Sequence, residues 1–279
     1  MINESMRQMG HQRSCIRELF EYGKKQAILV GKNNVYDFSI GNPSLPAPQE
    51  VNRAIIDAVE KLDSITVHGY TSSSGNASLR RMITDDLNKR YHTHLTDFNI
   101  FFTCGAARAV VSAVRALAVP DSEIIVMAPF FPEYRVYIEP NGAKMVIVPP
   151  DYPDFQINFP ELEKRINVHT QAVIVNSPNN PTGVIYTQET LEKLSVLLRR
   201  KEIEVGHPIY IISDEPYREL VYDGAYVPFI PSIYPDTVVC YSFSKALSVP
   251  GERIGYVLVA DTCMDEIPLM DAIDRKSVV

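Results

Sequence analysis

The chain has 279 residues, of which 46% are hydrophobic and 22% charged, the balance of an ordinary globular protein with a sizeable core. Its formal net charge of −7 argues against a nucleic-acid partner, because no basic stripe is available to displace counterions. The first residues lack the apolar core of a signal peptide, and no run reaches the roughly 20 apolar residues that span a bilayer, so we expect a cytoplasmic protein without a membrane partner.

The cysteines and histidines do not form a convincing metal site. The four cysteines are scattered without a C-x-x-C pair, which argues against a structural zinc site and a disulfide framework. His92 and His94 form an H-x-H pair, but their position beside Tyr91 and Leu95 is more typical of a solvated helix end or loop. We therefore predict that the protein binds no metal.

Residues 1 to about 45 differ from the rest of the chain. An amphipathic stretch that begins at Ser14 leads into VYDFSIGNPSLPAP, which is rich in turn formers. This segment is predicted to be an N-terminal arm or part of a small domain, outside the main sheet. A helix with Pro48 in its first turn follows, and residues 46–279 are predicted to form one large domain.

Seven short apolar runs in the large domain are predicted to be strands. Their apolarity is continuous rather than alternating, as expected for strands that are buried on both faces. Helical patterns that begin at Ala106 and Thr187 lie between them. This alternation predicts an α/β fold, a mostly parallel sheet of about seven strands with helices on both faces. The runs begin at Asn99, Glu123, Lys144, Gln171, Pro208, Thr237 and Arg253.

The last connection between strands is unusually short. About ten residues separate the strand that ends near Ser242 from the strand that begins near Arg253, whereas a parallel crossover needs a dozen or more. These two strands are therefore predicted to be antiparallel if they are neighbours. Lys245 lies at the start of the connecting loop, where it is either an ordinary surface charge or a nucleophile.

Two strand ends carry side chains that are suited to hold a ligand. Asp214 directly follows an apolar run, which predicts a position at the carboxyl edge of the sheet, where open α/β sheets bind ligands. A buried carboxylate there needs a cation or strong donors; a helix-capping aspartate is the alternative. Tyr217 lies three residues further on. The motif NSPNNPTG, residues 176–183, is either a rigid loop that displays side-chain amides or simply a turn.

Two further stretches suit a phosphate and a nucleophile. FTCGAARAV, residues 102–110, places small residues at the start of a helix, which is a geometry that binds anions. Ser242 and Ser244 offer hydroxyl groups, and Arg253 offers a bidentate guanidinium. Lys245 beside that cation loses its proton more readily and becomes a nucleophile. An amine next to an anion site, together with a buried aspartate, is what a pyridoxal phosphate enzyme requires.

The ordered motifs resemble those of the class I and II pyridoxal-phosphate aminotransferases of fold type I. They are G-Y-T…G, G-A, N-x-P-x-N-P-T-G, D-E-x-Y and S-x-S-K…P-G-x-R-x-G, and they run from about Gly41 to Gly255 in the family's order and spacing. The resemblance implies an enzyme that uses pyridoxal 5'-phosphate to transfer an amino group between an amino acid and a 2-oxo acid. It also implies a homodimer.

The resemblance assigns roles to residues at matching positions. Lys245 would hold the cofactor covalently and, once substrate displaces it, would act as the base at the substrate's Cα. Asp214 would pair with the cofactor's ring nitrogen, and Tyr217 and Asn180 with its phenolic oxygen. Tyr70 would contact the phosphate in the neighbouring subunit. The other implied cofactor contacts are Gly105, Ala106, Ala107, Phe131, Ser242, Ser244 and Arg253.

The resemblance also implies substrate contacts, and the chain departs from the family pattern in two respects. Gly41, through its backbone, and Asn180 are expected to bind the substrate. Ala107 stands where many relatives have a hydroxyl residue, so one phosphate hydrogen bond is expected to be absent. The family's chain continues beyond residue 279 into a C-terminal small domain, whose arginine binds the substrate's α-carboxylate. We therefore expect the 279-residue form alone to be a feeble catalyst.

Two alternatives stay open. A β-eliminating C–S lyase of the same fold would use the same lysine and aspartate, because these residues serve a step that both reactions share. A degraded copy, or a ligand-binding regulator like the aminotransferase-like domains of some transcription factors, would not be catalytic. The acidic charge and the retained set of Lys245, Asp214 and Arg253 both disfavour this second alternative.

Overall fold

Seven strands form one mixed sheet in the part of the chain that the computed structural model describes, which comprises residue 2 and residues 4–11 and 15–276. The strands are β1 (Ile100–Thr103), β2 (Glu123–Met127), β3 (Lys144–Val148), β4 (Thr170–Asn176), β5 (Tyr210–Asp214), β6 (Thr237–Ser242) and β7 (Gly255–Val259). Their order is β1-β7-β6-β5-β4-β2-β3. Each one coincides with a predicted apolar run.

The sheet is parallel except at β7. This strand is antiparallel to both of its neighbours, β1 and β6, and the remaining neighbouring strands are parallel. The predicted α/β fold with one antiparallel strand is therefore confirmed. Ser242 at the end of β6 pairs with Gly255 at the start of β7, so the connection between them lies at the carboxyl edge of the parallel strands.

Helices precede, separate and follow the strands along the chain. The α-helices are α1 (Glu4–His11), α2 (Cys15–Val30), α3 (Gln49–Lys61), α4 (Ser64–His68), α5 (Ala77–Tyr91), α6 (Ala106–Leu117), α7 (Tyr134–Ile138), α8 (Phe159–Arg165), α9 (Gln188–Val205), α10 (Phe243–Ala246) and α11 (Glu266–Lys276). Short 3-10 helices lie at Lys32–Asn34, Asp97–Asn99, Glu139–Asn141 and Ile230–Ser232. The predicted helices after Pro48 and Thr187 are confirmed, with Pro48 as the N-cap of α3 rather than within its first turn.

The core lies on both faces of the sheet, as the continuous apolar runs predict. Successive residues of β5 belong to different clusters: Ile212 packs in the cluster that contains Ala113 of α6, and Ile211 in the cluster that contains Leu194 of α9. This division follows from the alternation of side chains along a strand. Edge strand β3 is only partly covered, and its Ile147 is 38% exposed.

The chain divides into two compact units, Met1–Pro46 and Ala47–Val279. The first contains α1 and α2, and none of the described side chains of α2 is buried. Its assignment to an arm or to part of a small domain stays a prediction. The second unit contains the whole sheet. Among the described residues, no helix combines the length and the apolarity that a membrane crossing requires.

Candidate active site

A cavity of about 190 Å³ lies at the carboxyl edge of the sheet, in the second unit. It opens where β4, β5 and β6 end and α6 begins, which is the position that open α/β sheets use for ligands. Ten of the residues singled out from the sequence line this one cavity. They are Ala106, Ala107, Phe131, Asn180, Asp214, Tyr217, Ser242, Ser244, Lys245 and Arg253.

Three predicted site residues lie elsewhere. Gly105 is buried just behind the cavity wall as the N-cap of α6, with φ of 85°. Tyr70 is fully exposed and lines a separate cavity of about 570 Å³, which Arg253 also borders. Gly41 is exposed and belongs to the first unit, so its role at the substrate stays a prediction.

Asp214 is the last residue of β5 and is 7% exposed. Its Oδ2 accepts a hydrogen bond of 2.6 Å from the Tyr134 hydroxyl, while its buried Oδ1 has no hydrogen-bond partner among the described residues. Burial raises the pKa of Asp214 to about 6, against the effect of the hydrogen bond from Tyr134. The alternative that Asp214 caps a helix does not hold, because a turn over residues 216–219 follows β5.

The Asn176 side chain joins two strand ends, a contact that no sequence motif indicates. Its Nδ2 donates to the Asp214 carbonyl at 2.8 Å, and its Oδ1 accepts from the Asn180 amide at 2.7 Å. Asn176 and Asp214 are paired in the register of β4 and β5. Asn176 therefore holds the motif loop against the end of β5. Both residues end apolar runs, and that shared position is the sequence signal that places them at the same edge of the sheet.

Tyr217 and Asn180 lie on opposite loops and meet at the cavity. Their side chains are hydrogen-bonded to each other, which acts to lower the pKa of the tyrosine. Burial, followed by the charge of Asp214, outweighs this effect and raises the pKa of Tyr217. The hydroxyl is therefore protonated at neutral pH and can donate a hydrogen bond to an anionic ligand oxygen.

Lys245 lies in α10, the short helix that follows β6 directly, and is half-buried. Burial first and the positive charge of Arg253 second lower the pKa of its amine. The predicted effect of Arg253 is therefore present, but desolvation is the larger cause. A lower pKa makes the neutral, nucleophilic amine available nearer neutral pH.

The groups suited to an anion surround the start of α6. The Ser242 hydroxyl accepts from the Ser244 amide at 3.1 Å and donates to the Ser244 hydroxyl at 2.8 Å. Arg253 donates from Nη2 to the Cys104 carbonyl at 3.3 Å, beside the helix. A Cβ at Gly105 would lie 2.7 Å from that Nη2 atom. The absence of a side chain at Gly105 thus lets the guanidinium approach the helix N-terminus, whose dipole also favours anions.

These groups fit the chemical parts of pyridoxal 5'-phosphate. Asp214 Oδ1 is a buried carboxylate oxygen that lacks a donor among the described residues. It could therefore accept a hydrogen bond from the protonated ring nitrogen. Lys245 supplies an amine for the aldehyde, and the start of α6 with Arg253 supplies a cradle for the phosphate. In the described residues, no group of three or more His, Cys, Asp or Glu side chains could hold a metal ion.

The sequence model of the family aminotransferase class I and II matches residues 33–275. An amino transferase from Eubacterium rectale, known from a crystal structure, is 54% identical and superposes with a TM-score of 0.95 over 99% of this chain and 69% of that chain. A probable aspartate aminotransferase from Methanocaldococcus jannaschii is 30% identical over 92% of this chain and 64% of its own length. A probable N-acetyl-LL-diaminopimelate aminotransferase from Bacillus subtilis is 30% identical over 84% of this chain and 58% of its own length.

Proposed function

The chain belongs to the aminotransferase class I and II family, and we propose that it forms the cofactor-binding part of an enzyme that transfers an amino group between an amino acid and a 2-oxo acid. The observation that supports this most directly is the convergence of Lys245, Asp214, Tyr217 and Arg253 on one cavity. The chain spans 64% and 58% of the two curated relatives, so this activity concerns the whole enzyme.

Members of this family use pyridoxal phosphate, which supplies an aldehyde that condenses with amines and a ring that accepts electrons. In this chain Lys245 would hold the aldehyde carbon, and Asp214 Oδ1 would accept the ring N–H. Tyr217 and Asn180 would bind the phenolic oxygen, and Phe131 would cover the ring. The phosphate contacts would come from Gly105, Ala106, Ala107, Ser242, Ser244 and Arg253.

The residues of this chain then have defined tasks in the transfer. Asp214 keeps the ring nitrogen protonated, because its carboxylate is buried and its other oxygen is already occupied by Tyr134. The Lys245 amine, whose pKa is lowered, takes the proton from the substrate's Cα. Tyr217 and Asn180 fix the plane of the ring. The geometry serves proton transfer at one face of the substrate, which Gly41 and Asn180 would help to orient.

A homodimer is part of the proposal, with Tyr70 reaching the phosphate of the neighbouring subunit. Tyr70 is fully exposed and does not line the cavity that contains Lys245. Helix α3, which ends shortly before Tyr70 in the chain, buries none of its side chains and leaves Ile55, Ile56 and Val59 exposed. An apolar helix face of this kind is suited to a subunit interface.

Transamination rather than β-elimination is proposed, because the relatives described above are named as aminotransferases. Their names give different substrates, so the proposal extends only to the class of amino acid and 2-oxo acid. A cytoplasmic location and a role in amino-acid biosynthesis belong to the same proposal; the scattered cysteines, without a C-x-x-C pair, fit that location.

A single-turnover assay tests the function. The whole enzyme that contains this chain is loaded with pyridoxal phosphate and mixed with a panel of amino acids, and the 2-oxo acid is measured against the bound cofactor. We expect at least one amino acid to give one equivalent of its 2-oxo acid, and Lys245→Ala to give none. Pyruvate and ammonia from a substrate with a β-leaving group, without any transamination, would assign the alternative lyase chemistry.

A further inference from the structure

We infer that Tyr134 is a positioning residue of this site: its hydroxyl holds one oxygen of Asp214 and so presents the other, ionised, to the cofactor's ring nitrogen. This inference rests on the proposed function, because it assigns the ring nitrogen to Asp214. The sequence motifs gave Tyr134 no role. The one feature of the sequence that connects Tyr134 with the site is its position three residues after Phe131, in PFFPEY.

Tyr134 is held rigidly behind the cavity wall. It is 2% exposed at the start of α7, and its ring packs edge-on against Phe131, with centroids 5.8 Å apart. The Tyr137 ring lies 6.5 Å away. A phenol packed in this way has little freedom to turn, so its hydroxyl has a fixed direction. That direction leads to Asp214 Oδ2, at 2.6 Å.

The two oxygens of Asp214 are therefore not equivalent. Asp214 lines the cavity and Tyr134 does not, so the contact with Oδ2 leaves Oδ1 as the oxygen for a ligand. Oδ1 is buried and has no partner among the described residues. A buried acceptor without a donor is destabilising, and a donor on the ligand would relieve that cost. The unpaired oxygen is thus the second observation that points to a cofactor with an N–H group.

Tyr134 is also the group that favours the charged form of Asp214. The residue opposite Asp214 on β6 is Cys240, whose pKa burial raises well above its ordinary value, so it stays neutral. Tyr217 on the following turn and Tyr137 on α7 also stay neutral, since burial raises their pKa values, that of Tyr137 to about 12. Asn176 on β4 binds the Asp214 carbonyl only.

Two cationic groups, Lys245 and Arg253, line the same cavity. The resolved influences on the Asp214 pKa are burial, which raises it, and the hydrogen bond from Tyr134, which lowers it. Without the Tyr134 hydroxyl, the pKa of Asp214 would rise further above about 6. A protonated Asp214 has no charge to pair with the protonated ring nitrogen. As the pH falls, cofactor binding would therefore begin to weaken at a higher pH than in the unsubstituted protein.

Binding of pyridoxamine 5'-phosphate, which cannot form the covalent link to Lys245, tests the inference without catalysis. We expect Tyr134→Phe to weaken binding about fivefold at pH 6 but less than about twofold at pH 8, as a rise of one unit in the Asp214 pKa implies. Tyr186→Phe is the matched control, because Tyr186 is a buried tyrosine in the cluster on the other face of the sheet. We expect its binding to match the unsubstituted protein at both pH values.

Two further variants keep the test decisive. In an Asp214→Asn background, Tyr134→Phe should cause no additional pH dependence, since no carboxyl group remains to titrate. Replacement of Tyr134 by 3-fluorotyrosine keeps the shape but makes the hydroxyl a stronger donor, so it should improve binding at pH 6. An unchanged ratio of affinities at pH 6 and pH 8 in both Tyr134 variants overturns this inference alone. A protein that binds no pyridoxamine phosphate at either pH overturns the proposed function as well.

Discussion

Asp214→Asn should make the cofactor-free protein more stable and its reaction slower. Asp214 is buried, and its raised pKa of about 6, against the ordinary 3.8, corresponds to about 3 kcal/mol of free energy that opposes ionisation in the folded state. Because the folded-state pKa is raised, the folded protein has its full free energy of unfolding below pH 4, where Asp214 is protonated in both states. About 3 kcal/mol of that free energy is lost as the pH rises towards 6. The neutral amide avoids that loss, so the cofactor-free variant should unfold at a higher denaturant concentration at pH 7.

The same substitution should damage the reaction severely. An amide cannot keep the ring nitrogen protonated, and loss of such a charge-assisted pair costs about 2–5 kcal/mol, or roughly thirtyfold to several thousandfold in rate. The matched control is Asp223→Asn, because Asp223 is exposed and has φ of 57°, a left-handed conformation that asparagine tolerates. The measurements are single-turnover rates and urea unfolding at pH 7. Equal rates for the two variants, or a destabilised Asp214→Asn protein, would mean that Asp214 is a structural residue.

Two other substitutions test the anion cradle and the turn that carries the site. Gly105→Ala should weaken cofactor binding more than tenfold, because its Cβ would displace the Arg253 guanidinium. Gly142→Ala is the control, because Gly142 has φ of 90° and open space around it, so that its substitution adds only backbone strain. Equal affinities of the two variants would mean that Arg253 does not bind the phosphate. Glu215→Gln or Arg218→Met alone should lower the free energy of unfolding by about 3–5 kcal/mol, because each leaves half of a buried ion pair. The double variant should recover part of that loss, and an additive loss in thermal unfolding would contradict the pairing.

The sheet was predictable from the sequence because its strands are buried on both faces. Burial on both faces turns a strand into a continuous apolar run, and each predicted run became a strand. The short link between β6 and β7 also predicted the antiparallel pair, since so few residues cannot form a crossover. At the site, Asp214 and Lys245 were recognisable because they lie in the motifs D-E-x-Y and S-x-S-K, whereas their positions after apolar runs alone also allowed a helix cap and a surface charge.

The contacts between site residues were less predictable. The bond from Asn176 to Asp214 depends on the register of β4 against β5, which a single sequence does not specify. The bond from Tyr134 depends on the path of the loop between β2 and α7, which lacks any periodic pattern. Desolvation, the larger cause of the lowered pKa of Lys245, was not predictable either, because it follows from packing, whereas the neighbouring arginine is visible in the motif.

Reductive labelling with pyridoxal phosphate tests the central claim most directly. The protein is incubated with the cofactor, reduced with borohydride, digested, and mapped by mass spectrometry. We expect one modified peptide that contains Lys245, whose amine has a lowered pKa and lines the cavity, and no specific label in Lys245→Ala. Inorganic phosphate should compete, because the cradle at Arg253 would bind it. A label on Lys144 or Lys201 instead, or equal labelling of several lysines, would contradict the assignment of this cavity as the cofactor site.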